Sequence, residues 1–226
     1  MIMIRKRIIL SKSFMFLLLF VVQDGSCFLF SCDCSEVFAG TIVKAISVSS
    51  EEESLLQLGE VVFRELKAER EGMQTFEALG RIGASREMIN SILSDFTGYP
   101  NFMPNVKTVE VVSRTEGQTV MNYALGLPLG KEKRYRLKIT DLQTNGAVSV
   151  LYWSMVEWPG LKPEETIKDT TGYWLVQEDL PKQSLVLYHV STDPGEVPFG
   201  LGWIVDILSK QSVPQAVSSL RERAMR

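Results

Sequence analysis

The chain has 226 residues, 45% hydrophobic and 23% charged, proportions that suit a globular protein and exclude a disordered or collagen-like one. Its 24 basic and 27 acidic side chains leave a net charge of −3, which supplies no basic footprint for nucleic acid. Three cysteines, all within 27–34, and a single histidine, His189, exclude a cysteine protease, a zinc ribbon or a thioredoxin-type motif from the body of the chain.

The N-terminal stretch reads separately. Arg5, Lys6, Arg7 and Lys12 precede an unbroken apolar run over 14–22, the form of a secretory signal. As a helix that run rises only about 14 Å, against the roughly 30 Å of a bilayer core. Cleavage after Ala39 is the preferred exit and removes Cys27, Cys32 and Cys34. The alternative is lipid attachment at Cys32, or anchoring through the N-terminal segment. The expected organisation is a leader or membrane-targeting segment over 1–39, a linker with a short helix over 40–58, and one folded domain over 59–226. The expected location is secreted or periplasmic.

Within the domain the elements follow in order. An acidic linker over 49–53 leads into a short helix near Ser54. Strand-like runs cover 59–67 and 73–82, separated by a charged turn. Ser85 then caps a helix whose Met88, Ile89, Ile92 and Leu93 share one face. Gly98, Pro100 and Pro104 end it. Strands are expected over 106–114, 119–126, 131–141, 147–157, 169–178 and 184–192, joined by turns of which Asn145-Gly146 is the strongest hairpin signal. Such short connections make the pairing antiparallel. The chain closes on a helix with two apolar stripes, Leu201, Ile204, Val205 and Leu208, then Val213, Val217 and Leu220; Pro214 between them kinks or restarts it. The class is therefore α+β: a curled antiparallel sheet of seven or eight strands gripping a long C-terminal helix, with small helices after an early strand. A sheet curled around one helix leaves a space between them, mostly apolar with a few polar groups.

The segment Asp95-Phe96-Thr97-Gly98-Tyr99-Pro100-Asn101-Phe102-Met103-Pro104-Asn105-Val106 resembles the stretch after the first helix in START-like proteins, the helix-grip or SRPBCC superfamily. It is most similar to the branch of polyketide cyclase/dehydrase-like, coenzyme Q-binding and lipid-transport proteins. The tail with Gly202, Trp203, Val213, Pro214, Leu220, Arg221 and Arg223 is similar to that branch's terminal helix. The resemblance implies a module that encloses a lipid or other hydrophobic small molecule, with transient membrane contact for ligand exchange and no cofactor. The alternative it implies is a cyclase, aromatase or dehydratase using the same cavity.

Individual residues sharpen this expectation. Tyr99, Phe102, Met103, Tyr135, Trp153, Met155, Tyr173, Tyr188, Trp203 and Ile207 are the expected ligand contacts, since Tyr and Trp combine an apolar body with a polar tip. Phe102, Met103, Leu201 and Trp203 could form a portal. His189 is a weak catalytic candidate: a lone strand histidine is more often a structural hydrogen-bonding residue, and no Gly-x-Ser-x-Gly elbow, P-loop or Gly-x-Gly-x-x-Gly accompanies it. Period two sets Tyr135, Leu137 and Ile139 on one side of their strand, and Arg134, Arg136 and Lys138 on the other. The arginines read as a solvated face, or alternatively as an inward cation for an anionic head group. Glu157, Glu164, Glu165 and Asp169 around Trp158-Pro159-Gly160 read as surface acidity rather than an acid/base pair. No metal site is expected.

Overall fold

The computed structural model describes residues 45–68, 70–195 and 202–226. The expected leader, the three cysteines and the segment 196–201 lie outside the described residues. The first half comprises α1 (Ser50–Gln57), β1 (Val62–Leu66), β2 (Gln74–Ile82), α2 (Arg86–Ser94), a 3₁₀ helix (Phe96–Asn101), β3 (Val106–Thr115) and β4 (Gln118–Gly126). Then come β5 (Glu132–Thr140), β6 (Gln143–Asn145), β7 (Val148–Val156), β8 (Asp169–Leu180), β9 (Gln183–Asp193) and α3 (Gly202–Ala224).

The strands form one antiparallel sheet in the order β1-β2-β9-β8-β7-β5-β4-β3, with β6 added beside β7. β1 and β3 are its edges, so the sheet curls without closing. The six later strands expected from alternation are all present. The ninth strand of the sheet, β6, is only three residues long, too short to show a period, and the hairpin at Gly146 (φ 58°) folds it onto β7.

Alternation puts one set of side chains on the concave face. Phe76, Ala78 and Ile82 of β2, Met121 and Tyr123 of β4, Leu137 and Ile139 of β5, and Trp174 and Val176 of β8 join one buried core. α2 and α3 cover it. Ser85 Oγ accepts from Met88 N at 3.3 Å and starts α2, whose Ile89 and Leu93 are fully buried. Met88, expected on that face, is 53% exposed: it lies one position off the Ile89–Leu93 row, and Ile92 completes the stripe instead.

α3 is a single helix that continues through Pro214. Its Val213, Ala216, Val217 and Leu220 are buried in the core, as the second apolar stripe predicts. Close approach is possible because β2 presents Gly80 to it: a Cβ there would sit 2.5 Å from Val217 Cγ1. The first stripe, Leu201 to Leu208, falls on side chains outside the described set.

The convex face is not bare. A second apolar cluster of Leu56, Val62, Leu79, Val150, Leu175 and Leu187 forms there, joined by Ile46 and Val48. α1 is its lid. The acidic run read as a linker is this helix's first turn: Ser49 Oγ accepts from Glu52 N at 3.2 Å, and Ser49 N donates to Glu52 Oε2 at 2.8 Å, a capping box. Glu51, Glu52 and Glu53 thus meet the positive end of the helix. Arg64 of β1 then clamps α1 to the sheet, donating from Nε and Nη2 to Glu52 at 2.6 and 2.8 Å and from Nη1 to Glu77 at 3.1 Å. Arg81 repeats the device between Glu53 and Asp179.

Candidate functional site

Between the concave face and α3 lies a cavity of about 230 Å³. Its walls follow from strand parity. Tyr123 of β4 and Tyr135 of β5 are register partners, and their rings stack at 5.6 Å with planes 6° apart. Trp153 of β7, Trp174 of β8 and Tyr188 of β9 stand side by side across the next strands, with Tyr188 5.5 Å from Trp153 and 4.3 Å from Trp174 between ring centres. Gly172 makes room for this row: in register with Trp153, it is crossed by that indole, and a methyl there would overlap both the Trp153 ring and the His189 carbonyl. α3 contributes Ser209, Ser212, Val213 and Ala216 to the opposite wall. At the rim, Asn105 Nδ2 donates to Ser212 Oγ at 2.7 Å and ties the loop before β3 to α3.

The polar groups on this wall divide into spent and unspent ones. Tyr99 O–H donates to the Leu93 carbonyl at 2.6 Å, fixing the 3₁₀ segment to the end of α2. Thr170 donates to the Ser191 carbonyl at 3.3 Å and Thr192 to the Asp169 carbonyl at 3.2 Å. Of the four cavity tyrosines, only Tyr99 hydrogen-bonds the protein among the described residues. Burial pushes the pKa of Tyr99, Tyr123, Tyr135 and Tyr188 upward, so all four stay protonated donors at physiological pH. No Asp, Glu, Lys, Arg or His lines the cavity among the described residues.

The expected contacts separate accordingly. Tyr99, Met103, Tyr135, Trp153 and Tyr188 all line the cavity. Phe102 does not; it packs edge-on behind Tyr99 at 5.5 Å, buttressing the wall. Met155 has inward parity but lies beyond the cavity, in a larger open depression of about 530 Å³ under the Trp158 loop. Ile167 borders both spaces. Tyr173 is a correction: it faces the convex side, between Tyr152 at 5.6 Å and His189 at 4.6 Å, because its neighbour Trp174 takes the inward place. The side chains of Trp203 and Ile207, and of Leu201 in the expected portal, lie outside the described set. Tyr123 and Trp174 also line the cavity: alternation from Met121 marks Tyr123 as inward, and Trp174 is one of the aromatics clustered on the late strands.

His189 also faces the convex side. Its Nδ1 lies 3.1 Å from Glu77 Oε1, extending the chain Glu52–Arg64–Glu77. Burial alone would raise the Glu77 pKa, but hydrogen bonds from His189 and Arg64 outweigh it and hold the carboxyl below its ordinary value. The imidazole is thus a structural member of the outer-face network. Arg134 and Arg136 point outward as the solvated-face reading has it: Arg134 donates to Glu165 at 2.6 Å, Arg136 to Asn122 at 2.8 Å, and both lie within 6.0 Å of the Trp158 ring. Two of the loop acids are engaged in ion pairs, Glu165 with Arg134 and Asp169 with Arg70. Among the described residues no group of three or more metal-ligating side chains occurs.

Known proteins resemble this chain in fold only. No family model and no curated protein matches the sequence. Solved structures match its fold. A STAR-related lipid transfer protein fragment from Xanthomonas axonopodis superposes with a TM-score of 0.63 at 16% identity, over 74% of this chain and 94% of that one. Human StAR-related lipid transfer protein 5 gives 0.56 at 13%, over 76% and 92%. The Zhui aromatase/cyclase from Streptomyces gives 0.55 at 13%, over 68% and 94%. The chain therefore shares the helix-grip fold of these solved structures.

Proposed function

We propose that this domain binds, and by enclosing it can carry, a lipid or other hydrophobic small molecule in the cavity between the sheet and α3. The observation that supports this reading is the cavity itself: an aromatic wall built by strand parity and held open by Gly172, against a helix face that presents Ala216 and Val213. Burial drives binding at about 25 cal/mol per Å² of apolar ligand surface, less the cost of ordering the ligand. The test is titration with N-phenyl-1-naphthylamine, an uncharged apolar fluorophore. Saturable enhancement at one site per chain is expected; its absence overturns the reading.

The alternative, a cyclase, aromatase or dehydratase acting in the same space, would draw its donors from Tyr123, Tyr135 and Tyr188, since His189 is committed to the opposite face. Turnover lost in their phenylalanine variants with binding retained would favour it. The basic and apolar N-terminal pattern further supports export, so we place the domain in a secreted or periplasmic setting; N-terminal sequencing of the exported chain should begin at Gly40. Ligand exchange through transient membrane contact belongs to the same proposal and is tested by vesicle co-sedimentation.

A further inference from the structure

The cavity's chemistry narrows its occupant. Three phenols, Tyr123, Tyr135 and Tyr188, reach this space without a protein acceptor among the described residues, while Tyr99 on the same wall has one. Tyr123 and Tyr135 are register partners on β4 and β5 and their rings stack in parallel. Tyr188 is held between Trp153 and Trp174. A ligand that displaces water from these hydroxyls without accepting from them leaves donors unpaired, and a ligand oxygen that accepts avoids that cost. The same wall offers no cation among the described residues. Arg134 and Arg136, the nearest arginines in sequence to Tyr135, stand on the other face with Glu165, Asn122 and the Trp158 ring. An anionic head group brought inside would lose its hydration with no counter-charge to replace it.

Resting on the cavity reading above, we propose that the natural ligand is an uncharged, largely apolar molecule bearing an acceptor oxygen, such as a ketone, ester carbonyl or hydroxyl, which Tyr123, Tyr135 and Tyr188 recognise by hydrogen bonding. Fatty-acid anions and other molecules that must bury a charge are disfavoured. Donors on three strands, stacked aromatic rings on the wall and a volume of about 230 Å³ suit a compact cyclic ligand better than a long flexible chain, which would lose more rotamer freedom.

The experiment compares three naphthalenes sharing one 6-dimethylamino ring system: the 2-propionyl ketone, its 2-propyl hydrocarbon, and the 2-carboxylate. The ketone should bind roughly three- to tenfold more tightly than the hydrocarbon, about the worth of one or two net hydrogen bonds. It should bind at least about tenfold more tightly than the carboxylate. In Tyr123→Phe/Tyr135→Phe/Tyr188→Phe the ketone's advantage over the hydrocarbon should vanish while the hydrocarbon still binds. Should that variant fail to fold, the infrared carbonyl stretch of the ketone bound to the unaltered protein decides: a shift below its value in hexane is expected, and a hexane-like frequency overturns the inference. Carboxylate binding as tight as the ketone's, or a ketone preference surviving all three substitutions, also overturns it. If the hydrocarbon binds without any ketone preference, this inference falls and the cavity reading stands. If none of the three binds, both fall.

Discussion

Replacing Ala216 by leucine tests where the empty space lies. Ala216 is 1% exposed and belongs to the helical wall of the cavity. A void of about 230 Å³ costs about 5.5 kcal/mol when nothing fills it, at roughly 24 cal/mol per Å³. Leucine adds three carbons at the point where α3 faces that void, each worth about 0.8 kcal/mol when buried without strain. The gain is thus about 2 kcal/mol, or a rise in Tm of about 4–8 °C for a domain of this size. The same atoms occupy ligand volume, so affinity for N-phenyl-1-naphthylamine should fall at least about tenfold. Differential scanning calorimetry and the dye titration read the two effects on one sample. A falling Tm with unchanged dye binding would refute the reasoning, because it would mean that leucine meets packed atoms and that the dye sits elsewhere.

Other substitutions separate the two faces of the sheet. Gly172→Ala should cost at least about 1–3 kcal/mol by pressing on both the Trp153 ring and the His189 backbone carbonyl, and should weaken dye binding; urea denaturation followed by tryptophan fluorescence measures the first effect. Leu56→Ala, beneath α1, should cost about 2–4 kcal/mol in the same assay yet leave dye affinity unchanged, since it empties only the convex cluster. The Glu52 carboxyl is held down from its ordinary 4.5 to about 2, first by the Arg64 hydrogen bonds, and Glu77 is held below its ordinary value in the same network. Depressed carboxyls stabilise the fold fully above their unfolded pKa, so this contribution is present above about pH 4.5 and is lost as pH falls toward 2. Arg64→Met should therefore flatten the fall in Tm across that acid range, and an undiminished slope would remove Arg64 from the account.

How much of this was readable beforehand depended on the range of the signal. Strand alternation and the Asn145-Gly146 turn are local, and they placed the later strands and the inward set Tyr135, Leu137 and Ile139. The likeness of the 95–106 segment pointed to the fold, and Tyr99 and Met103 from that segment reach the cavity. The choice between the adjacent aromatics Tyr173 and Trp174 is not local: opposite parity sends only one of them inward, and the register with Gly172 and Trp153 decides which. The convex layer was illegible because α1 is short and acidic. Its partners Arg64 and Glu77 lie 12 and 25 positions from Glu52, and their pairing exists only once β1 and β2 are side by side. His189 was visible as a lone imidazole in a strand, but its orientation required knowing that Glu77 is its register partner across β2 and β9.

The central claim is that this domain is a container, and the most direct measurement is its mass. Electrospray of the untreated protein under native conditions, followed by the same sample denatured, should show one discrete mass excess per chain that disappears on unfolding. The released species should be uncharged and oxygen-bearing. A bare chain mass in both conditions, unchanged after incubation with a total lipid extract, would contradict the account.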